Sequence, residues 1–148
     1  LPAEHAHGGD PKKLRVATRF GRWLSTVGES SPWRHTGKSC RRCLAERLHI
    51  GRGCVGDDVP DREPVWHDGG TFATRICPVR SLTPEVEYVQ ALFDATHEVD
   101  TGGMAAVCRL VRLPDAGGAS EQDAWLLDAL EVLRDESNAM LAEARKRA

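Results

Sequence analysis

The sequence predicts a mostly helical α+β protein in which a small four-cysteine zinc module with short strands packs against two or three helices. Three observations lead there. Cys40, Cys43, Cys54 and Cys77 fall close together, the first two in a Cys-Arg-Arg-Cys knuckle. The second half of the chain carries two stretches with apolar residues at helical spacing. Leu, Ile, Val and Phe together supply only about 21% of the residues, just above the composition at which disorder sets in. A core that thin gains from a metal staple, because structural zinc binding adds directly to folding free energy.

Residues 1–35 read as a leader. Leu1 to Lys13, rich in His, Gly and Pro and without a period, reads as unstructured. From Leu14 to Val27 the apolar Val16, Ala17, Phe20, Trp23, Leu24 and Val27 recur every three or four residues, with Arg15, Arg19 and Arg22 opposite. That pattern is a short basic amphipathic helix. Gly21 inside it costs about 1 kcal/mol relative to Ala. Residues 28–39 have the composition of a linker.

Residues 36–80 form the expected zinc module. Leu44 to Ile50 suits a short helix after the knuckle, ended by Gly51 and Gly53. Asp57 to Pro64, with two prolines and four acids, reads as an exposed loop. Val65–Trp66 and Thr71–Ile76 read as two short strands joined through His67, Asp68, Gly69 and Gly70, a connection that fits a hairpin.

Residues 81–148 form the helical region. Thr83-Pro84-Glu85 is a strong helix start: Thr caps, Pro suits the first helical position and the acid complements the positive pole. Val86, Val89, Leu92, Phe93 and Thr96 then trace one face. Met104 to Leu113 is an apolar run that fits a third helix or a buried strand, and periodicity alone does not choose. A last helix begins at Ser120, with Asp123 approximating a capping box, and runs for over twenty residues. Its stripe is Leu126, Leu130, Leu133, Ser137, Met140, Leu141 and Ala144, and Arg145, Lys146 and Arg147 complement its negative pole.

Two sulfur ligands separated by two residues reach one metal from a single turn, and zinc in structural sites closes a tetrahedral shell of thiolates or imidazoles. The expected site is one structural zinc ion held by Cys40, Cys43, Cys54 and Cys77, with His49 or His67 able to replace one sulfur. Four thiolates on one zinc leave a charge of −2, which Arg41, Arg42, Arg52, Arg75 and Arg80 would offset. Two other readings stand beside it. The cysteines are ordinary thiols in a small core, or Cys40 and Cys43 form a redox pair, for which the expected βαβ setting is missing. Cys108, in an apolar run, reads as core.

Two motifs fail on inspection. Thr36-Gly37-Lys38-Ser39 lacks the earlier Gly of a phosphate loop, since Pro32 stands there. His97-Glu98 lacks the second His of a metalloprotease helix.

The segment Cys77-Pro78-Val79-Arg80-Ser81-Leu82-Thr83-Pro84-Glu85-Val86, then a helix, a link and Ala124-Trp125-Leu126-Leu127-Asp128-Ala129-Leu130, resembles the layout of small uncharacterised proteins from tailed-phage tail gene modules. The likeness spans residues 77–133 and implies a non-enzymatic part in tail assembly. It carries over no functional residues.

Charge runs from +3 in residues 1–35 and +2 in 36–80 to −7 in 81–148. The expected role is binding another protein, with the acidic carboxyl-terminal helix as the docking face. The rival is a nucleic-acid-binding zinc protein using the basic front half, although nearby acids weaken a phosphate-driven complex. An enzyme comes third. No segment has the roughly 20 apolar residues of a membrane span. Five cysteines and no secretory apolar run point to a reducing compartment and a cytoplasmic location.

Overall fold

A computed structural model describes residues 10–54, 63–70, 72–118 and 122–148. Among these it has five α-helices, one 3-10 turn and two separate two-stranded antiparallel sheets. That is a small, mostly helical α+β protein. The expected unstructured lead through residue 9, residues 57–62 of the expected loop Asp57–Pro64 and the helix start at Ser120 lie outside the described residues, while Glu63 and Pro64 are exposed. The chain divides into two compact units, one of residues 19–82, the other of residues up to Thr18 together with Thr83–Ala148.

The first helix, α1, spans Pro11–Thr26 and is shared between the units. It starts three residues before Leu14 because Asp10 caps it, its carboxylate accepting the Lys12 N–H at 2.9 Å, and Pro11 suits the first helical position. In residues 28–39, read from composition as linker, the chain instead makes a short helix, α2, at Pro32–Thr36. Pro32 again supplies the preset φ. Gly37 ends the helix at φ +52°, a left-handed conformation open to glycine, with its N–H on the Trp33 carbonyl at 2.8 Å. Helix α3 then occupies the knuckle itself, Cys40–Ala45, and not Leu44–Ile50. The reason is Ser39, whose hydroxyl accepts the Arg42 N–H at 3.3 Å and so sets the start upstream of the leucine.

The hairpin of this unit pairs β1, Trp66–His67, with β2, Ala73–Thr74. Its core is a cluster of five rings. Phe20 is fully buried and stands edge-on to Trp33 at 5.6 Å and to Trp66 at 5.5 Å. Trp23 and Phe72 extend the cluster, each edge-on to Trp66. Ring pairs in such arrangements contribute about 0.5–1.5 kcal/mol beyond area burial. Arg19, expected on the wet face of α1, is instead buried. Its guanidinium donates to Asp68 Oδ2 at 2.7 Å and lies 4.9 Å from the Phe72 ring centroid. A buried acid on the hairpin turned this arginine inward.

In the other unit, α4 spans Pro84–Thr96 and α5 spans Ala124–Arg147. Thr83 caps α4 as its sequence predicts, its Oγ1 accepting the Val86 N–H at 3.4 Å. Thr83→Ala is expected to cost about 1 kcal/mol, read as a lower thermal midpoint that Thr83→Ser restores. The described part of the last helix starts at Ala124, with Asp123 in the capping position but making no side-chain cap. Leu126, Ala129, Leu130 and Leu133 turn inward from α5, opposite Val86 and Val89 of α4. The run from Met104 resolves as a strand, β4, at Val107–Leu110, paired with β3 at His97–Asp100. β3 follows α4 with no loop: Thr96 folds its hydroxyl onto the Leu92 carbonyl at 2.7 Å, and His97 is already extended. Cys108 is buried at the centre of β4, and the Asn138 amide of α5 bonds both its N–H, at 2.7 Å, and its C=O, at 3.4 Å. Among the described residues no helix is long and apolar enough to cross a membrane.

Candidate metal centre

In α3 the spacing of three residues puts Cys40 and Cys43 on one face of a single turn. Cys43 is buried and Cys40 is exposed. After α3 the chain folds back through a series of turns that includes Arg47 at φ +57° and Gly53 at φ +62°. The glycine takes this backbone at little cost, and Cys54 follows it. Cys77 precedes the 3-10 turn Pro78–Ser81, where Pro78 is buried and the Arg80 N–H donates to the Cys77 carbonyl at 3.0 Å. These three pieces of chain converge. Cys40, Cys43, Cys54 and Cys77 all border one cavity, together with His49 and Arg52.

The thiols at the cavity influence one another's ionisation. Burial pushes the Cys54 thiol up to about 12, helped by the nearby Cys77, to which it is hydrogen-bonded, and then by Cys43 and Cys40. Burial also raises Cys77, against the opposing effect of the Val79 and Arg80 N–H groups and the Cys54 hydrogen bond. Without a metal, thiolates crowded together are costly, so protons stay on. A divalent cation reverses that balance, because a coordinating thiol is deprotonated outright.

Of the five arginines expected to offset the site, Arg52 is the one that borders the cavity. It is 7% exposed, lies 4.0 Å from the Trp33 ring centroid, and donates to Thr36 Oγ1 at 2.8 Å and to Cys43 Sγ at 3.5 Å. Among the described residues it has no carboxylate partner. A buried cation without a carboxylate calls for another anion, and the facing group is sulfur. The other arginines expected to offset the site behave differently: Arg41 and Arg42 are exposed, Arg42 donating to the His35 carbonyl at 2.8 Å, and Arg75 and Arg80 are exposed too.

The two histidines separate. His49 borders the cavity, and its buried Nδ1 has no hydrogen-bond partner. His67 is exposed on the hairpin, its Nδ1 accepting the Gly69 N–H at 3.2 Å. Four sulfurs and one imidazole border the cavity, the donor types that structural zinc sites use. As the side chains stand, however, no three His, Cys, Asp or Glu among the described residues are gathered tightly enough to hold an ion. The thiols border one cavity without forming a closed ligand shell.

No family model, no curated protein and no solved structure matches the chain.

Proposed function

We propose that the chain is a non-enzymatic protein stapled by one structural zinc ion on Cys40, Cys43, Cys54 and Cys77, that it works in a reducing compartment by binding another protein through its helical carboxyl-terminal half, and that it belongs to the assembly setting its phage-tail resemblance implies. The observation that carries the metal is that four thiols from three stretches of chain border one cavity beside a buried arginine with no carboxylate partner among the described residues. One fact supports it further, the buried His49 Nδ1 at the same cavity, which has no hydrogen-bond partner. Deprotonation would free the Cys54–Cys77 hydrogen bond, and rotation of the exposed Cys40 side chain between staggered wells would then complete the shell. Arg52 would offset part of the net negative charge of a zinc tetrathiolate.

The nucleic-acid reading loses part of its basis, because two arginines of the basic helix are engaged. Arg19 is paired with Asp68 and Arg15 faces Glu136 at 3.7 Å. Cys108 is no better as a nucleophile. It is buried in a strand and its thiol is raised by burial, against a smaller lowering by the Arg134 charge.

Metal analysis of protein purified without chelator tests the proposal. One zinc per chain is expected, with the four cavity thiols unreactive toward a thiol reagent until a chelator is added. Protein free of zinc, with thiol reactivity indifferent to the chelator, overturns it.

A further inference from the structure

The unit built on α4 and α5 exposes two surfaces of opposite character. One is a groove of about 1000 Å³ between the loop leading into β4 and the last turns of α5. Met104 and Val107 form one wall, with Leu141 and Ala142 opposite, and Arg145 and Lys146 stand at the end. Met104 is 97% exposed, an apolar side chain with nothing over it. The helix pole accounts for basic residues at this end, yet among the described residues neither Arg145 nor Lys146 has an ion-pair partner, whereas Arg147 faces Glu143 at 3.8 Å. Apart from Asn138, whose amide is bonded to the Cys108 backbone, the groove is apolar along its walls and positive at its end.

The second surface is the outer face of α4. Tyr88, Ala91 and Ala95 lie at i, i+3 and i+7, so they form one stripe, and all three are exposed, Tyr88 at 54%. Glu87 and Asp94 flank the stripe. This is an acidic amphipathic helix whose inner face, Val86 and Val89, is already buried. Its outer face has the chemistry that the groove lacks.

We infer that the groove receives the outer face of α4 from a second copy of this chain, Tyr88 seating against Met104 and Leu141 while Asp94 meets Arg145 and Lys146. An apolar helix face laid in an apolar groove is a recurring mode of recognition. The two patches are different, so the contact is heterologous and one copy can pass it on to the next. The inference rests on the protein-binding reading above and names the partner. It does not depend on the metal, since none of the candidate ligands lies in residues 83–148.

Sedimentation velocity on the full chain tests it. Average mass is expected to rise above 16.2 kDa with concentration and to fall back as salt screens the ion pairs. A groove variant, Met104→Glu with Arg145→Glu and Lys146→Glu, and a face variant, Tyr88→Lys with Asp94→Lys, should each raise the dissociation constant ~10-fold or more. All five positions are exposed, so both variants should keep the wild-type far-UV circular dichroism. Mixed one to one, the two variants should form a heterodimer, because each retains the surface that the other has lost. A wild-type chain that stays at 16.2 kDa throughout, or variants that fail to associate on mixing, overturns the inference. Zinc content measured on the same samples tells its failure from failure of the metal reading.

Discussion

Cys77→Ser, or treatment of the wild type with a strong chelator, is expected to destabilise the unit of residues 19–82 by several kcal/mol, below the ~10–16 kcal/mol that zinc contributes in peptides with no other core. The difference lies in the aromatic cluster, which is built from residues other than the candidate ligands. Cys77 is the choice because it is buried at the cavity and its replacement leaves the Cys40–Cys43 turn of α3 intact. Tryptophan emission gives a direct readout: Trp33 stacks on Arg52, which touches Cys43, so losing the ion should shift the fluorescence. Cys108→Ser is the control. It lies outside that unit and should leave zinc content at the wild-type value, and a chelator that changes neither emission nor stability would count against a structural metal.

The second large effect belongs to Arg19 and Asp68. Their side chains are 6% and 9% exposed, and removing one partner of a buried pair leaves an uncompensated charge, so Arg19→Ala or Asp68→Asn is expected to cost about 3–5 kcal/mol in chemical denaturation. Replacing both by apolar residues should cost less than either single change, since the desolvation penalty goes with the charges. The pair also fixes a pH dependence. Burial pushes the Asp68 carboxyl up, but the Arg19 hydrogen bond, the Gly70 N–H, the Arg19 charge and the Phe72 N–H outweigh it and hold it below its usual 3.8. A depressed carboxylate contributes stability that is fully present above 3.8 and is lost as pH falls through the lower folded value. Wild type should therefore lose stability on acidification below that point more steeply than Asp68→Asn. Parallel curves would show that the pair contributes no such linkage.

These sites also show what local sequence discloses. Thr83-Pro84 announced α4, and the glycines between two apolar pairs announced the β1–β2 hairpin, because caps and turns act within four residues. The same Ser-Pro signal at Ser31-Pro32 started α2, where polar composition had suggested linker. β3 was hidden, since His97-Glu98-Val99-Asp100 has no strand composition and gains its conformation from pairing with β4. Long-range electrostatics was hidden as well. Nothing around Arg19 shows that an aspartate 49 positions on would turn it inward. The four cysteines were legible as a group by proximity, whereas the distinctive role of Arg52 appears only where Trp33, Thr36 and Cys43 meet around it.

The grip of Asn138 on Cys108 has one more consequence. A two-stranded ribbon leaves outward amides and carbonyls that could template a stranger's backbone. At the middle of β4 that vacancy is filled by a side-chain amide, which presents one acceptor and one donor in place of an incoming peptide bond. The carboxyl-terminal helix thus occupies the ribbon's edge at that residue, leaving the Cys108 peptide groups no free valence for an incoming strand.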